Sequence, residues 1–272
     1  KGITKTTISD LPSLLTPVIA LKTPSSDIRV CKRELTDGAL YFVTNEDTCS
    51  ISCTLQFRET QQIVQLDPES GKCWKPSRAV RTSNGWEVPV DFAFAGSGVF
   101  IFTDDVLPCV PEPQSPGKFV QAISSGWTCR KVNEYVIGEH EIKVQDHTSE
   151  QSIAITLGDW SEVIGKEYSG DVEYQVSFTC TGSEAKSANV LDLGDVRYVC
   201  QVWINGESLG KRLWGPYSYD VKGKLKEGTN DLRVVVTNTF ANQNTYTKIF
   251  SSYNNYEKES FPSGLFGPVN IY

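Results

Sequence analysis

The sequence predicts an all-β protein made of two antiparallel β-sandwich domains. Three observations carry that expectation. Apolar and polar residues alternate along most of the chain, and no stretch of a dozen residues repeats cleanly at the 3.6-residue period of a helix. A proline-rich segment that cannot continue a sheet divides the two runs of strands.

Residues 1–25 read as a lead-in segment. Their apolar run, "LPSLLTPVIAL" at 11–21, is interrupted by Pro12 and Pro17 and is far shorter than the ~20 residues that cross a bilayer, so no membrane span is expected. The chain opens on Lys1, contains no Met and shows no basic-then-apolar signal segment. That reads as a processed product or an excised piece of something longer.

Residues 26–105 read as a small β-sandwich with strands near 28–33, 39–44, 49–57, 62–67, 86–94 and 98–103. The turn signals "TDG", "DPESG" and "SNG" separate them. In "CSISCTLQFR", Cys49, Ile51, Cys53, Leu55 and Phe57 share one face. Residues 106–117 hold Pro108, Pro111, Pro113 and Pro116, a composition that stiffens into an extended linker.

Residues 118–272 supply about eight more strands, a usual count for a jelly roll. "VEYQVSFTC" turns Val172, Tyr174, Val176, Phe178 and Cys180 inward, and "LRVVVTN" turns Leu232, Val234 and Val236 inward. In "VCQVWINGESLGKRLWGPY", Asn205-Gly206 fits the centre of a type I′ turn, because both positions need φ > 0. That register puts Cys200, Val202 and Ile204 on the core face. Pro216 ends the ladder after the turn, with Trp214 and Tyr217 expected to seal the end of the core.

Composition excludes several function classes. A net charge of -7 with scattered Lys and Arg leaves no basic footprint for nucleic acid. The eight cysteines form no Cys-x-x-Cys pair and have only two histidines to help them, so zinc spacing is absent. Buried free thiols are the expected state. There is no GxGxxG, phosphate loop or Gly-x-Ser-x-Gly elbow, and His140 and His147 read as surface strand histidines. The acid pairs Asp104-Asp105 and Glu139-Glu141 read as linker and exposed strand charges.

The segments "LGDW" (157–160), "YSGDVEY" (168–174), "LDLGDV" (191–196), "VWINGESLG" (202–210), "WGPYSYDV" (214–221), "LKEGTNDLRVVVTN" (225–238) and "SGLFGPV" (263–269) occur in the order of the galactose-binding-like, sugar-binding jelly roll of family 2 glycoside hydrolases. The last of them resembles the copy that closes family 106 α-L-rhamnosidases. "KRELTDGALYFVTNE", "VQLDPESGKCWKP" and "VFIFTDD" are similar to the β-sandwich that precedes that jelly roll. The resemblance implies that the hairpin at 200–212 is framework, and that the catalytic carboxylates belong to a (β/α)-barrel domain for which this chain has neither room nor periodicity. No cofactor is expected, although galactose-binding-like sandwiches often carry a structural Ca²⁺.

No catalytic residue is assigned, because glycosidases need two carboxyl groups about 5–9.5 Å apart and the acids here cannot be narrowed to such a pair. For sugar contact the best candidate is the insertion from Phe240 to Tyr256, with Asn242, Asn244, Tyr246, Tyr253, Asn254 and Tyr256 as the binding residues. Flat aromatic faces and amides are what sugar recognition requires. A solvated insertion, or a surface packed on a missing catalytic domain, are the competing readings of that loop. Trp74 and Trp86 are weaker candidates in the first sandwich.

The expected function is a non-catalytic accessory region of a bacterial, exported, α-L-rhamnosidase-like glycoside hydrolase, located in the periplasm, on the cell surface or outside the cell. Its partners would be carbohydrate and the catalytic domain of the parent chain. The alternative is a stand-alone carbohydrate-binding or adhesion module.

Overall fold

The computed structural model describes residues 17–47, 49–68, 70–93, 96–113, 117–138, 141–243 and 261–272. The chain divides into two compact units, Lys1–Pro113 and Gln114–Tyr272, and the division falls inside the proline-rich segment. Every named strand pair is antiparallel, and the helices α1 (Ser161–Ile164) and α2 (Gly182–Ser187) are each less than two turns long. The fold is all-β.

The first unit contains β1 (Ala20–Leu21), β2 (Ile28–Leu35), β3 (Gly38–Asn45), β4 (Ile51–Phe57), β5 (Gln62–Leu66), β6 (Cys73–Trp74), β7 (Val80–Thr82), β8 (Gly85–Phe92) and β9 (Ser97–Thr103). They form two sheets, ordered β1-β4-β8-β7 and β2-β3-β9-β5-β6. The six strands expected here are all present. β1, β6 and β7 are two or three residues long, too short to show an alternation. β1 lies in the stretch read as a lead-in, yet Ala20 and Leu21 pair with Gln56 and Leu55 and extend the first sheet.

Alternation buries Tyr41, Leu55, Phe57, Phe100 and Phe102 between these sheets. The Tyr41 and Phe57 rings meet edge to face at 4.9 Å, and Phe57 and Phe102 lie 5.0 Å apart. The Tyr41 hydroxyl leaves the core and donates to Glu59 Oε1 at 2.6 Å, where Lys32 Nζ also lies 2.9 Å away. Burial would raise the Glu59 carboxyl, but the Tyr41 and Lys32 hydrogen bonds together hold it below its ordinary range.

The second unit contains β10 (Gln121–Ala122), β11 (Thr128–Ile137), β12 (Ile142–Asp146), β13 (Ile153–Ala154), β14 (Gly170–Cys180), β15 (Val190–Asp192), β16 (Asp195–Arg197), β17 (Val199–Ile204), β18 (Glu207–Arg212), β19 (Ser218–Asp220), β20 (Gly228–Thr237), β21 (Gly264–Gly267) and β22 (Asn270–Ile271). The large sheet runs β12-β11-β14-β20-β17-β18, with β13 also on β11; a smaller sheet runs β10-β22-β15-β19, and β16 pairs with β21. Val172, Tyr174, Val176, Val202, Ile204, Leu232, Val234 and Val236 face the core, as their alternation requires. Trp127, Trp160, Tyr168 and Tyr174 complete it, with the Trp160 and Tyr174 rings stacked at 6.4 Å.

The hairpin turn forms as expected, with φ 50° at Asn205 and 81° at Gly206. The seal at its far end differs from the expectation. Tyr217 is buried, but Trp214 is 42% exposed, because the chain leaves the sheet before Trp214 can turn inward. The cysteines also differ. All eight are free thiols, and Cys73, Cys129, Cys180 and Cys200 are buried, but Cys31, Cys49 and Cys109 are exposed.

Two stability outcomes follow. Phe57→Ala should destabilise the first unit by about 3–5 kcal/mol in urea unfolding, the range for deleting a buried phenyl group. Because the folded-state pKa of Glu59 lies below the unfolded value of about 4.3, its contribution is present above that pH and is lost as pH falls through the folded value. Glu59→Gln should therefore flatten the acid limb of a stability–pH curve, and an unchanged limb would contradict the role.

Candidate functional site

The segments that carry the family resemblance converge on the closing strand of the second unit. Gly158 N donates to Leu265 O at 2.8 Å and Trp160 N to Ser263 O at 2.9 Å, so "LGDW" lies against "SGLFG". Asp159 Oδ1 accepts from Ser161 N, Ser161 Oγ and Ser263 N. Gly264 has φ +139°, and a Cβ there would stand 2.4 Å from Gly158 O. Gly194 of "LDLGDV" has φ +64°, and a Cβ there would meet the Gly267 carbonyl carbon at 2.4 Å. Only glycine permits both approaches.

The asparagines of these motifs are bonded inward too. Asn238 Nδ2 donates to Tyr168 O and Ser263 Oγ, and its Oδ1 accepts from Gly170 N. Asn230 is fully buried, with its amide tied to the Lys226 backbone at both ends and to Asn205 Nδ2. Asn205 Oδ1 accepts in turn from Asp231 N. The tight turn of the hairpin is thus bolted to the turn before β20, which is why a hairpin ends there.

Asn242, expected to contact sugar, is instead buried at 1% exposure. Its Nδ2 donates to Phe261 O at 2.9 Å and to Ser263 Oγ at 3.1 Å, so the amide braces the root of the insertion. Gln243 is used the same way: its Oε1 accepts from Ile137 N at 2.8 Å. Asn244, Tyr246, Tyr253, Asn254 and Tyr256 lie outside the described residues, as do Glu139 and His140. In the first unit, Trp86 is half-buried and its indole N–H donates to Gln61 O.

Among the described residues of the second unit, the outer face of the large sheet carries a second set of polar side chains. Outward positions alternate with the core ones, and register lines up Thr128, Gln175, Arg233 and Trp203 across β11, β14, β20 and β17. With Ser177 and Asp231 from the next row they line a groove of about 500 Å³. The Arg233 guanidinium lies 3.8 Å over the Trp203 indole. Its Nε also donates to Glu173 Oε2 at 3.0 Å, while Arg130 Nε donates to Glu173 Oε1 at 2.9 Å. Ser177 Oγ donates to Asp231 Oδ1 at 2.7 Å.

A second depression on the same face, about 160 Å³, is floored by Asp171, Tyr135, Gln201, Lys211 and Thr237. Asp171 Oδ2 accepts from Tyr135 Oη and Asn133 Nδ2. Desolvation, then the hydrogen bond to Asp171, raises the Tyr135 hydroxyl pKa above its ordinary value. The face therefore offers one indole, two guanidiniums, amides and hydroxyls, with its carboxylates Glu173, Asp171 and Asp231 each accepting from neighbouring donors. It is equipped for binding polar, ring-shaped molecules.

Trp203 and Arg233 belong to no binding motif and lie outside the long insertion, so sequence reasoning does not single them out. The signal was present: with Val202 and Ile204 inward, Trp203 must face outward on a central strand. His147 sits after β12, not on a strand, with Nδ1 2.7 Å from Glu150 and Nε2 3.1 Å from Glu134. The hydrogen bond with Asp37, then its charge, raises the Asp105 carboxyl in the first unit, and both acids are exposed. Among the described residues no three His, Cys, Asp or Glu side chains gather as a metal site would need. No described helix is long and apolar enough to cross a membrane.

Comparison with known proteins agrees with the motifs. Residues 161–263 match the family model described as glycosyl hydrolase 2 galactose-binding domain-like. A putative beta-glucuronidase from Formosa agariphila is 36% identical over 92 residues, which cover 32% of this chain and 8% of the relative. A solved rhamnosidase from Novosphingobium sp. PP1Y shares the fold with a TM-score of 0.66 at 21% identity, over 97% of this chain and 25% of that one. The chain thus spans a small part of the proteins it resembles.

The role of Asn242 in the frame is directly measurable. Asn242→Ala should lower stability by about 1–3 kcal/mol, the cost of leaving buried carbonyls and a hydroxyl without their donor. A neutral effect would show that the amide faces solvent. Within this chain, residues 161–263 are similar to the galactose-binding-like domain of glycosyl hydrolase 2 proteins.

Proposed function

We propose that this chain is the non-catalytic accessory region of an exported bacterial glycoside hydrolase of α-L-rhamnosidase type, acting in polysaccharide degradation. It braces the catalytic domain and contacts glycan through the open face of the large sheet. The observation that supports this most is the groove in which Trp203 stands beside Arg233, Gln175 and Thr128. An indole edge or face set among fixed donors suits a sugar ring, whose C–H surface packs on aromatics while its hydroxyls take hydrogen bonds. That 97% of this chain aligns with a quarter of a rhamnosidase chain favours an accessory region over a stand-alone module.

Catalysis in the chain itself is disfavoured by the state of the carboxylates on this face. Glu173 is held between two arginines, and Asp171 accepts from Asn133, Tyr135 and Thr237. Asp231, the third carboxylate of the face, accepts from Ser177 Oγ, so each of these acids is engaged by neighbouring donors rather than set up as a free acid–base pair.

The test is a binding screen of the purified chain against rhamnose-containing and uronate-containing oligosaccharides, with aryl-glycoside turnover measured in parallel. Trp203→Ala should weaken binding about fivefold or more, the equivalent of about 1 kcal/mol of aromatic contact, without changing the unfolding midpoint of the first unit. No turnover is expected. Binding that ignores Trp203 and Arg233 would move the site elsewhere, and turnover abolished by one Asp or Glu substitution would overturn the non-catalytic reading.

A further inference from the structure

Within the first unit, the segment that leaves β9 runs back along β6. Val110 N donates to Cys73 O at 2.8 Å, and Glu112 Oε2 accepts from Ser77 N at 2.8 Å. Cys73 is the first residue of β6, paired with Leu66 of β5, so its backbone is fixed by the sheet. Its sulfur lies 3.8 Å from Cys109 Sγ and 3.8 Å from Pro108 O. Cys73 is buried and Cys109 is exposed. The two thiols thus face each other across a backbone that hydrogen bonds already hold in place, and one of them is open to solvent.

We propose that Cys73 and Cys109 are an oxidisable pair, and that their disulfide staples the segment 107–112 to the edge of the five-stranded sheet. The sulfurs need to approach from 3.8 Å to about 2.0 Å, and side-chain rotation of Cys109 on its exposed segment supplies that movement. The oxidant is a small-molecule or protein disulfide. The Cys109 thiolate attacks one sulfur of that disulfide, forming a mixed disulfide and releasing one thiolate. Cys73 then gives up its proton to solvent, attacks Cys109 Sγ and releases the second thiolate. Two protein thiols are oxidised to one disulfide, and one external disulfide is reduced to two thiols.

Desolvation and the neighbouring sulfur push the Cys73 thiol pKa upward, which suits it to the second, resolving step and not to first attack. The closed loop from 73 to 109 contains β7, β8 and β9, so the cross-link restricts the unfolded chain over much of the first unit. Cys31 and Cys49 are also exposed free thiols and serve as internal controls.

The experiment incubates the whole chain with oxidised glutathione, then alkylates free thiols, digests without reductant and maps cross-linked peptides. The expected result is loss of two of the eight thiols, a peptide joining Cys73 to Cys109, and a melting temperature raised by at least about 5 °C. Reductant should reverse both. Cys109→Ser, at an exposed position, should fold and melt like the reduced protein and should show no oxidant-induced rise, while Cys31→Ser should keep it. A mixed disulfide that stays on Cys109, a different pairing, or a cross-link that leaves the melting temperature unchanged would overturn the proposal.

Discussion

The second unit depends on how its closing strand is held. Residues 263–267 come at the end of the chain, yet they enter between the loop that carries Asp159 and the turn that carries Gly194. Ser263 is fully buried and its hydroxyl accepts from Asn238 and Asn242 while donating to Phe261 O. Both donors come from the segment that follows β20, four residues apart, so the closing strand is locked to the end of β20. A buried polar network of this kind stabilises when complete and costs about 1–3 kcal/mol for each group left unpaired. Removing Cβ atoms at Gly194 and Gly264 is the steric half of the same constraint.

That constraint explains the division of labour on the two sides of the large sheet. The inner side is committed to aromatic and aliphatic packing around Trp160 and Tyr174, and the strand ends are committed to asparagine and serine locks. On the outer side, cross-strand rows place Thr128, Gln175, Arg233 and Trp203 in line. The arginine and glutamate ladder on that side does not need a partner to be satisfied. It fixes the rotamers of Arg233 and, through it, the setting of Trp203, so the surface is preformed.

Much of the fold was legible because alternation is a local signal. Leu55, Phe57, Val202 and Val234 each face the core that their neighbours implied. The Asn205-Gly206 turn was legible because its backbone requirement is rare. The short strands β1, β6 and β7 were not, since two or three residues carry no period and their pairing comes from partners far along the chain. Trp214 misled for the opposite reason: its size suggested a core plug, but the strand direction after Arg212 takes it outward. The candidate site was the least legible part. Asn242 has a sugar-binding composition around it, but composition does not reveal that Ser263 and Phe261 O use its amide, nor that Arg233 stands over Trp203.

The central claim is that the family motifs build the frame and that the outer face of the large sheet meets the ligand. The indole N–H resonances of the six tryptophans report on both at once, since Trp127 and Trp160 lie in the core and Trp203 lies on the face. In a titration with a rhamnose-containing oligosaccharide followed by NMR, the account predicts that the Trp203 indole signal, together with the Arg233 Nε–H, moves in step with saturation while Trp127 and Trp160 stay fixed. Saturable shifts confined to tryptophans other than Trp203 would contradict it.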